Sequence, residues 1–151
     1  MDSLNVNVTN NLLKTENKDW LKDKSNKNLF SDNNRFVDMV VILNDDTYAD
    51  YFDEEGNLKE SVVENTVFMT GNLTNKDLFI DMGNLSFIGL DDSIQSDLTI
   101  TLGDDEDNYS NIAVSNLNII NNNKITAIKV MNNASDVLID NNLIFINTTT
   151  S

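Results

Sequence analysis

Apolar and polar residues alternate in short bursts along the second half of the chain, and the bursts recur. Residues 77–89 read DLFIDMGNLSFIG, residues 111–121 NIAVSNLNIIN and residues 136–147 DVLIDNNLIFIN. In each, an apolar-x-apolar pair (Leu78/Ile80, Ile112/Val114, Val137/Ile139) runs into a polar corner. The corner holds Asp81, Ser115 or Asp140, followed by Asn84, Asn116 or Asn142. A second pair then follows: Leu85/Phe87, Leu117/Ile119 or Leu143/Phe145. Such period-two alternation predicts half-buried strands. A third strand fills each gap, at residues 98–102 (LTITL) and 127–131 (AIKVM), with residues 66–70 (TVFMT) as its predecessor. The unit is therefore three strands and three corners, starting at 77, 111 and 136 and so repeating at about 34 and then 25 residues. A period in this range signals a solenoid.

Sequential hairpins in a sandwich also give short alternating strands, but they supply no reason for copies to recur in register with only 5 Gly in the chain. In a parallel β-helix each strand pairs with its equivalent one turn later, and like side chains stack on like. The 27 Asn residues then have a use. Asn tolerates the left-handed backbone of a tight corner, and its amide can bond to the amide stacked above it. The predicted fold class is all-β, a parallel β-helix of about three turns over residues 65–151. Its register puts Val114, Ile139, Ile100 and Val130 inside and Lys129, Thr99, Thr101 and Asn118 outside. The longer first repeat comes from additions such as residues 103–108.

Upstream, residues 36–64 read as an N-terminal strand and cap. Residues 37–43 (VDMVVIL) form the strand, and Thr47 caps a short helix through Tyr48, Tyr51 and Phe52. Residues 53–57 (DEEGN) close it with a turn; as a calcium loop they fail, because the twelfth position would be Val62 rather than Glu. A first turn needs covering, and these aromatics are the expected cap. Residues 1–35 mix Asn, Lys and Asp with few apolar positions and read as a flexible segment. Within it, Leu12, Leu13, Trp20 and Leu21 suit one short amphipathic helix. At the other end, residues 146–151 follow a strand without an aromatic or charged cap, which predicts end-to-end self-association or fraying.

A net charge of −15 argues against nucleic acid, which needs a basic footprint, and against anionic lipid. No run approaches the roughly 18 apolar residues of a membrane helix, so no membrane insertion is expected. The first residues, MDSLNVNVTNN, lack a basic region and an apolar region, and no signal peptide is visible. The chain is then either intracellular or a piece of something longer.

The runs ILNDDTYADYFDEEGNLKESVVENTVFMTGNLTNKDLFI (42–80), NLSFIG (84–89) and VSNLNIINNN (114–123) resemble the N-terminal part of adhesin-like proteins of methanogenic archaea. The likeness spans roughly residues 37–151. It implies right-handed parallel β-helix repeats, a cell-surface or extracellular location, attachment to cells or glycans, and no catalysis.

The same fold carries polysaccharide lyases and glycoside hydrolases, so a fragment of a carbohydrate-active protein is the alternative; an envelope or phage fibre is a third. Hydrolysis needs two carboxyls across a sugar cleft, one with a raised pKa. The acids here (Asp91/Asp92, Asp104/Asp105, Asp136, Asp140) fall mostly at corners, where Asp is an ordinary turn residue. His and Cys are absent and the single Arg, Arg35, lies outside the repeats. No catalytic or cofactor-binding residue is therefore assigned, and the chain reads as a non-enzyme. Six N-x-Ser/Thr sequons (Asn7, Asn72, Asn84, Asn108, Asn133, Asn147) arise readily in a sequence so rich in Asn and Thr. Lys124 and Lys129 form no phosphate patch. One binding candidate remains, the acidic insertion Asp104, Asp105, Glu106 and Asp107 with Tyr109 beside it. It either holds a divalent cation such as Ca²⁺, offers Tyr109 to a sugar face, or is a solvated corner.

Overall fold

The computed structural model describes residues 35–147, together with 12–13 and 24–25. Short strands β1 (Leu12–Leu13) and β2 (Arg35–Phe36) pair in parallel. The predicted helix is thus overturned at Leu12 and Leu13, which have backbone partners in Arg35 and Phe36; Trp20 and Leu21 lie outside the described residues. Strand β3 (Met39–Leu43) precedes the one helix among the described residues, α1 (Tyr48–Tyr51). There follow β4 (Thr66–Thr70), β5 (Leu73–Thr74), β6 (Asp77–Ile80), β7 (Leu85–Gly89), β8 (Gln95–Ser96) and β9 (Thr99–Leu102). The chain continues through β10 (Tyr109–Ser115), β11 (Asn118–Asn121), β12 (Ile128–Val130), β13 (Ala134–Asp140) and β14 (Leu143–Ile146).

These strands wind into a parallel β-solenoid of about four stacked turns, one more than predicted, because β3 and the cap make an irregular first turn. Its faces are a five-stranded sheet (β13-β10-β7-β4-β3), a four-stranded sheet (β14-β11-β8-β5) and a three-stranded sheet (β12-β9-β6). Every pairing between named strands is parallel. Side chains stack in columns along the axis. One runs Val41, Phe68, Phe87, Val114, Ile139, in which the rings of Phe68 and Phe87 lie 4.7 Å apart and 4° from parallel. Others run Leu78, Ile100, Ile128 and Leu73, Gln95, Ile119, Ile144.

Val114 and Ile100 are fully buried, as the register requires. Ile139 and Val130 stand in core columns on Val114 and Leu102 but belong to the last turn, so they stay 43% and 45% exposed. Lys129 is exposed and Thr99 and Thr101 half-exposed, whereas Asn118 is half-buried, its amide donating to the Ser93 carbonyl at 3.0 Å.

Corners carry the asparagines. Asn65, Asn84, Asn111 and Asp136 occupy one corner position in four successive turns, all with positive φ. Asn111 donates to the Asn84 amide oxygen at 2.8 Å, and Asn65 to the carboxylate of Asp38 in the turn below at 3.2 Å. A second ladder links Asn141 to Asn116 at 2.6 Å. Where a turn is wider, a polar side chain spans it. Asn121 both accepts from the Leu98 N–H and donates to the Leu98 carbonyl, each at 2.9 Å, and buried Gln95 reaches Gly71 O at 2.9 Å and Asn118 N–H at 2.8 Å.

Three register expectations are corrected. Residues 66–70 do not precede the third strand; they lie beneath β7 on the five-stranded face, and the strand beneath β9 is β6. Leu85 and Phe87 accordingly pair with Ile112 and Val114, not with Leu117 and Ile119. The corner after β6 and the corner after β10 both read apolar, acid or Ser, Asn, apolar, so the motif alone does not say which corner it is. In the last turn Leu143 stands over Asn118 rather than Leu117, because Asn142 takes the inner corner place and bonds the Leu117 N–H at 2.9 Å. True repeats run from Thr66 to Leu85, to Ile112, to Val137, which is 19, 27 and 25 residues.

The cap forms as expected: Phe52 is buried against Phe68, with ring centroids 6.1 Å apart, and Tyr51 meets Phe68 edge-on at 5.6 Å. Thr47 holds the N-cap position without a side-chain cap bond, since its hydroxyl instead donates to the Ile42 carbonyl at 2.7 Å. No helix among the described residues is long and apolar enough to cross a membrane.

Candidate functional site

The acidic insertion joins β9 to β10, where the sequence places it. Gly103 begins it with φ +90, a conformation that suits a residue without Cβ. Asp104 then folds the loop onto itself: its Oδ1 accepts the N–H groups of Glu106 (2.8 Å) and Asp107 (3.0 Å) and the amide of Asn133 (3.1 Å). Its Oδ2 accepts the Tyr109 hydroxyl at 2.8 Å. These donors, the backbone ones foremost, hold the Asp104 carboxyl down at about 2, and the same bond raises the Tyr109 phenol above its ordinary value. Asp105, Glu106 and Asp107 remain exposed around this brace. Among the described residues, no three acidic, His or Cys side chains converge so as to hold a metal ion.

Other corner acids do the same work. Asp97 accepts the backbone N–H groups of Asn122 (2.7 Å) and Asn123 (3.0 Å) from the turn above, and Asp53 those of Glu55 and Asn57, both at 2.9 Å. Both carboxyls are pulled below their ordinary value, chiefly by those backbone donors. Asp92 and Asp136 adopt the left-handed conformation of corner residues, and Asp140 ends β13.

A cleft of about 560 Å³ opens beside the cap, and sequence reasoning missed it. Helix α1 and the turn at residues 53–57 form one wall; the corner Asn75, Lys76, Asp77 forms the other. The two walls meet because Gly56, at φ +93, passes so close to the Asp77 carbonyl that an added Cβ would lie 2.5 Å from it. At the centre stands Tyr48, its ring stacked on Phe52 at 5.2 Å with the Lys76 ammonium 5.0 Å from its centroid. Its hydroxyl donates to the Asp77 carbonyl at 2.9 Å, and burial, then the charges of Asp77 and Asp53, raise its pKa. Asp77 also holds Lys124, from two turns further up, at 2.8 Å. Glu54, Glu55 and Lys59 stand exposed on the rim. The signal available in the sequence was a lysine-bearing corner one turn above an aromatic cap, but that adjacency needs the true repeat length. Chemically the cleft offers carboxylates, ammonium groups and an amide around an aromatic wall, which suits hydrogen bonding to hydroxyl-rich or charged ligands.

Compared with known protein families, with curated proteins and with solved structures, the chain matches none.

Proposed function

We propose that this chain is a non-catalytic segment of a cell-surface, adhesin-like β-helix protein, a stiff stalk that carries contacts for glycans or for another cell. The observation that supports it best is the use made of its carboxylates. Asp53, Asp97 and Asp104 are spent on backbone N–H groups that brace corners, and each is pulled towards ionisation. A glycosidase acid needs the opposite, a carboxyl kept protonated by an apolar pocket. The sequence resemblance to archaeal adhesin-like proteins supplies the surface location. On this reading the contact surface is the cleft beside Tyr48, with Glu54, Glu55 and Lys76 meeting sugar hydroxyl or charged groups.

The chain is expected to release neither reducing nor unsaturated ends from pectin or polygalacturonate, with or without Ca²⁺. Glycan-array binding is expected to fall in the Glu54→Gln, Glu55→Gln, Lys76→Gln triple variant at unchanged melting temperature. Turnover abolished by Asp136→Asn or Asp140→Asn would instead support the carbohydrate-active alternative.

A further inference from the structure

We propose that the outer face of the five-stranded sheet is a docking surface for the chain's own residues 14–34, which close it from water. This does not depend on the adhesin reading. Two outward rows run along that face: Val40, Val67, Ser86, Ala113, Leu138, and beside it Ile42, Met69, Ile88. The outward rows of the other sheets are mixed, reading Phe79, Thr101, Lys129 and Thr74, Ser96, Ile120, Phe145. A parallel sheet that is apolar on both faces is one that is covered on both.

Burial bears this out. Val67 is 4% and Ser86 0% exposed, although both point away from the core. Neighbours in the row do not account for it. Thr101 stays half-exposed between the larger Phe79 and Lys129, whereas Ser86 has only Val67 and Ala113 beside it. Among the described residues, named elements pack substantially only on neighbours within their own sheet, so none of them roofs this face. Val40 and Leu138, at the ends of the row, are 46% and 51% exposed, which places the cover over the middle strands.

Position, composition and charge choose the occupant. Strand β2 leads almost directly into β3, so the preceding chain enters at the edge of this sheet. Because β1 pairs with β2 in parallel, the residues between Leu13 and Arg35 must make a crossover. At ~3.3 Å per residue they reach easily across strands ~4.8 Å apart. They hold two apolar pairs, Trp20 with Leu21 and Leu29 with Phe30, on either side of an exposed turn at Lys24 and Ser25. They also hold 5 of the chain's 10 basic residues against 4 acids, while residues 35–151 carry a net −15. A second copy would bring that acidic surface against itself; this segment does not.

The chain's one Trp lies in the segment, so its fluorescence reads the contact. In the folded 151-residue chain, Trp20 emission should be blue-shifted from its position in urea and shielded from acrylamide at every protein concentration. In a Ser86→Cys variant the thiol should label slowly. Adding Trp20→Asp, Leu21→Asp and Phe30→Asp should speed labelling ~10-fold or more at unchanged circular dichroism. Thr101→Cys, outward on the three-stranded sheet, should label fast with or without those changes. Should the combined variant fail to fold, Trp20→Ser alone should speed labelling of Ser86→Cys ~3-fold or more. Native Trp20 emission at the unfolded position, or fast labelling of Ser86→Cys in the otherwise unchanged chain, would overturn the proposal. So would slow labelling that folded segment variants leave unaltered, or protection that appears only as concentration rises, as a second copy would give.

Discussion

Single residues in this molecule are tested most sharply by which side of a strand they occupy. Val114 is fully buried in the core, while Thr101, on the outer side of β9, is half-exposed. Val114→Asp should lower urea stability by about 3–5 kcal/mol and Thr101→Asp by less than about 1 kcal/mol; equal losses would disprove the register. Corner residues act through conformation instead. Asn84 has φ 57 and accepts from Asn111, so Asn84→Ala should cost about 1–2 kcal/mol. Asn84→Gly should cost less, since Gly keeps the backbone and loses only the amide bond. Acid stability follows from the braced carboxylates. Asp104 is held at about 2, below its ordinary 3.8, so its contribution is present above pH 3.8 and lost as pH falls towards 2. Asp53 and Asp97 are shifted the same way. Asp104→Asn should flatten the acid limb of a stability-against-pH curve by lowering stability at neutral pH, where the ionised carboxylate contributes, while changing little near pH 2.

Turns are the elements here, and their unequal lengths are absorbed at different corners. The turn containing β7 adds residues both after β9 and before β8, where Gln95 fills the inner column between Leu73 and Ile119, whereas the next turn adds them between β11 and β12. Gln95→Leu keeps the volume but strands the Gly71 carbonyl and the Asn118 N–H, and should cost about 2–4 kcal/mol in urea unfolding. The strands themselves were legible in the sequence because alternation at 98–102, 111–121 and 136–147 is a local signal. So was the purpose of the Asn corners. Pairing was only partly legible, because equivalent-looking corners fall on different edges of the triangular section; residues 66–70 were assigned to the wrong face for that reason. The acidic insertion was found as a loop, though the Asp104 bonds that fold it needed Asn133 from the following turn. The cleft was not found at all, since Tyr48 and Asp77 become neighbours only once a whole turn is wound.

At the scale of the molecule, the described residues form parallel turns stacked in register above an aromatic cap. That geometry makes a rod with polar corners, as the proposed stalk role would require. It also makes a direct test possible, because the chain contains no Cys. Thr101 and Lys129 are register partners in adjacent turns, both on the outer side of their sheet. Registered residues of neighbouring parallel strands lie within the roughly 4.4–6.8 Å Cα separation that a disulfide spans. Under mild oxidation the Thr101→Cys, Lys129→Cys variant should form an intramolecular disulfide quickly and keep its circular dichroism. Thr101→Cys with Val130→Cys, one residue out of register and on the opposite face, should not. Cross-linking in the second pair but not the first, or equally in both, would contradict the stacked register on which the fold rests.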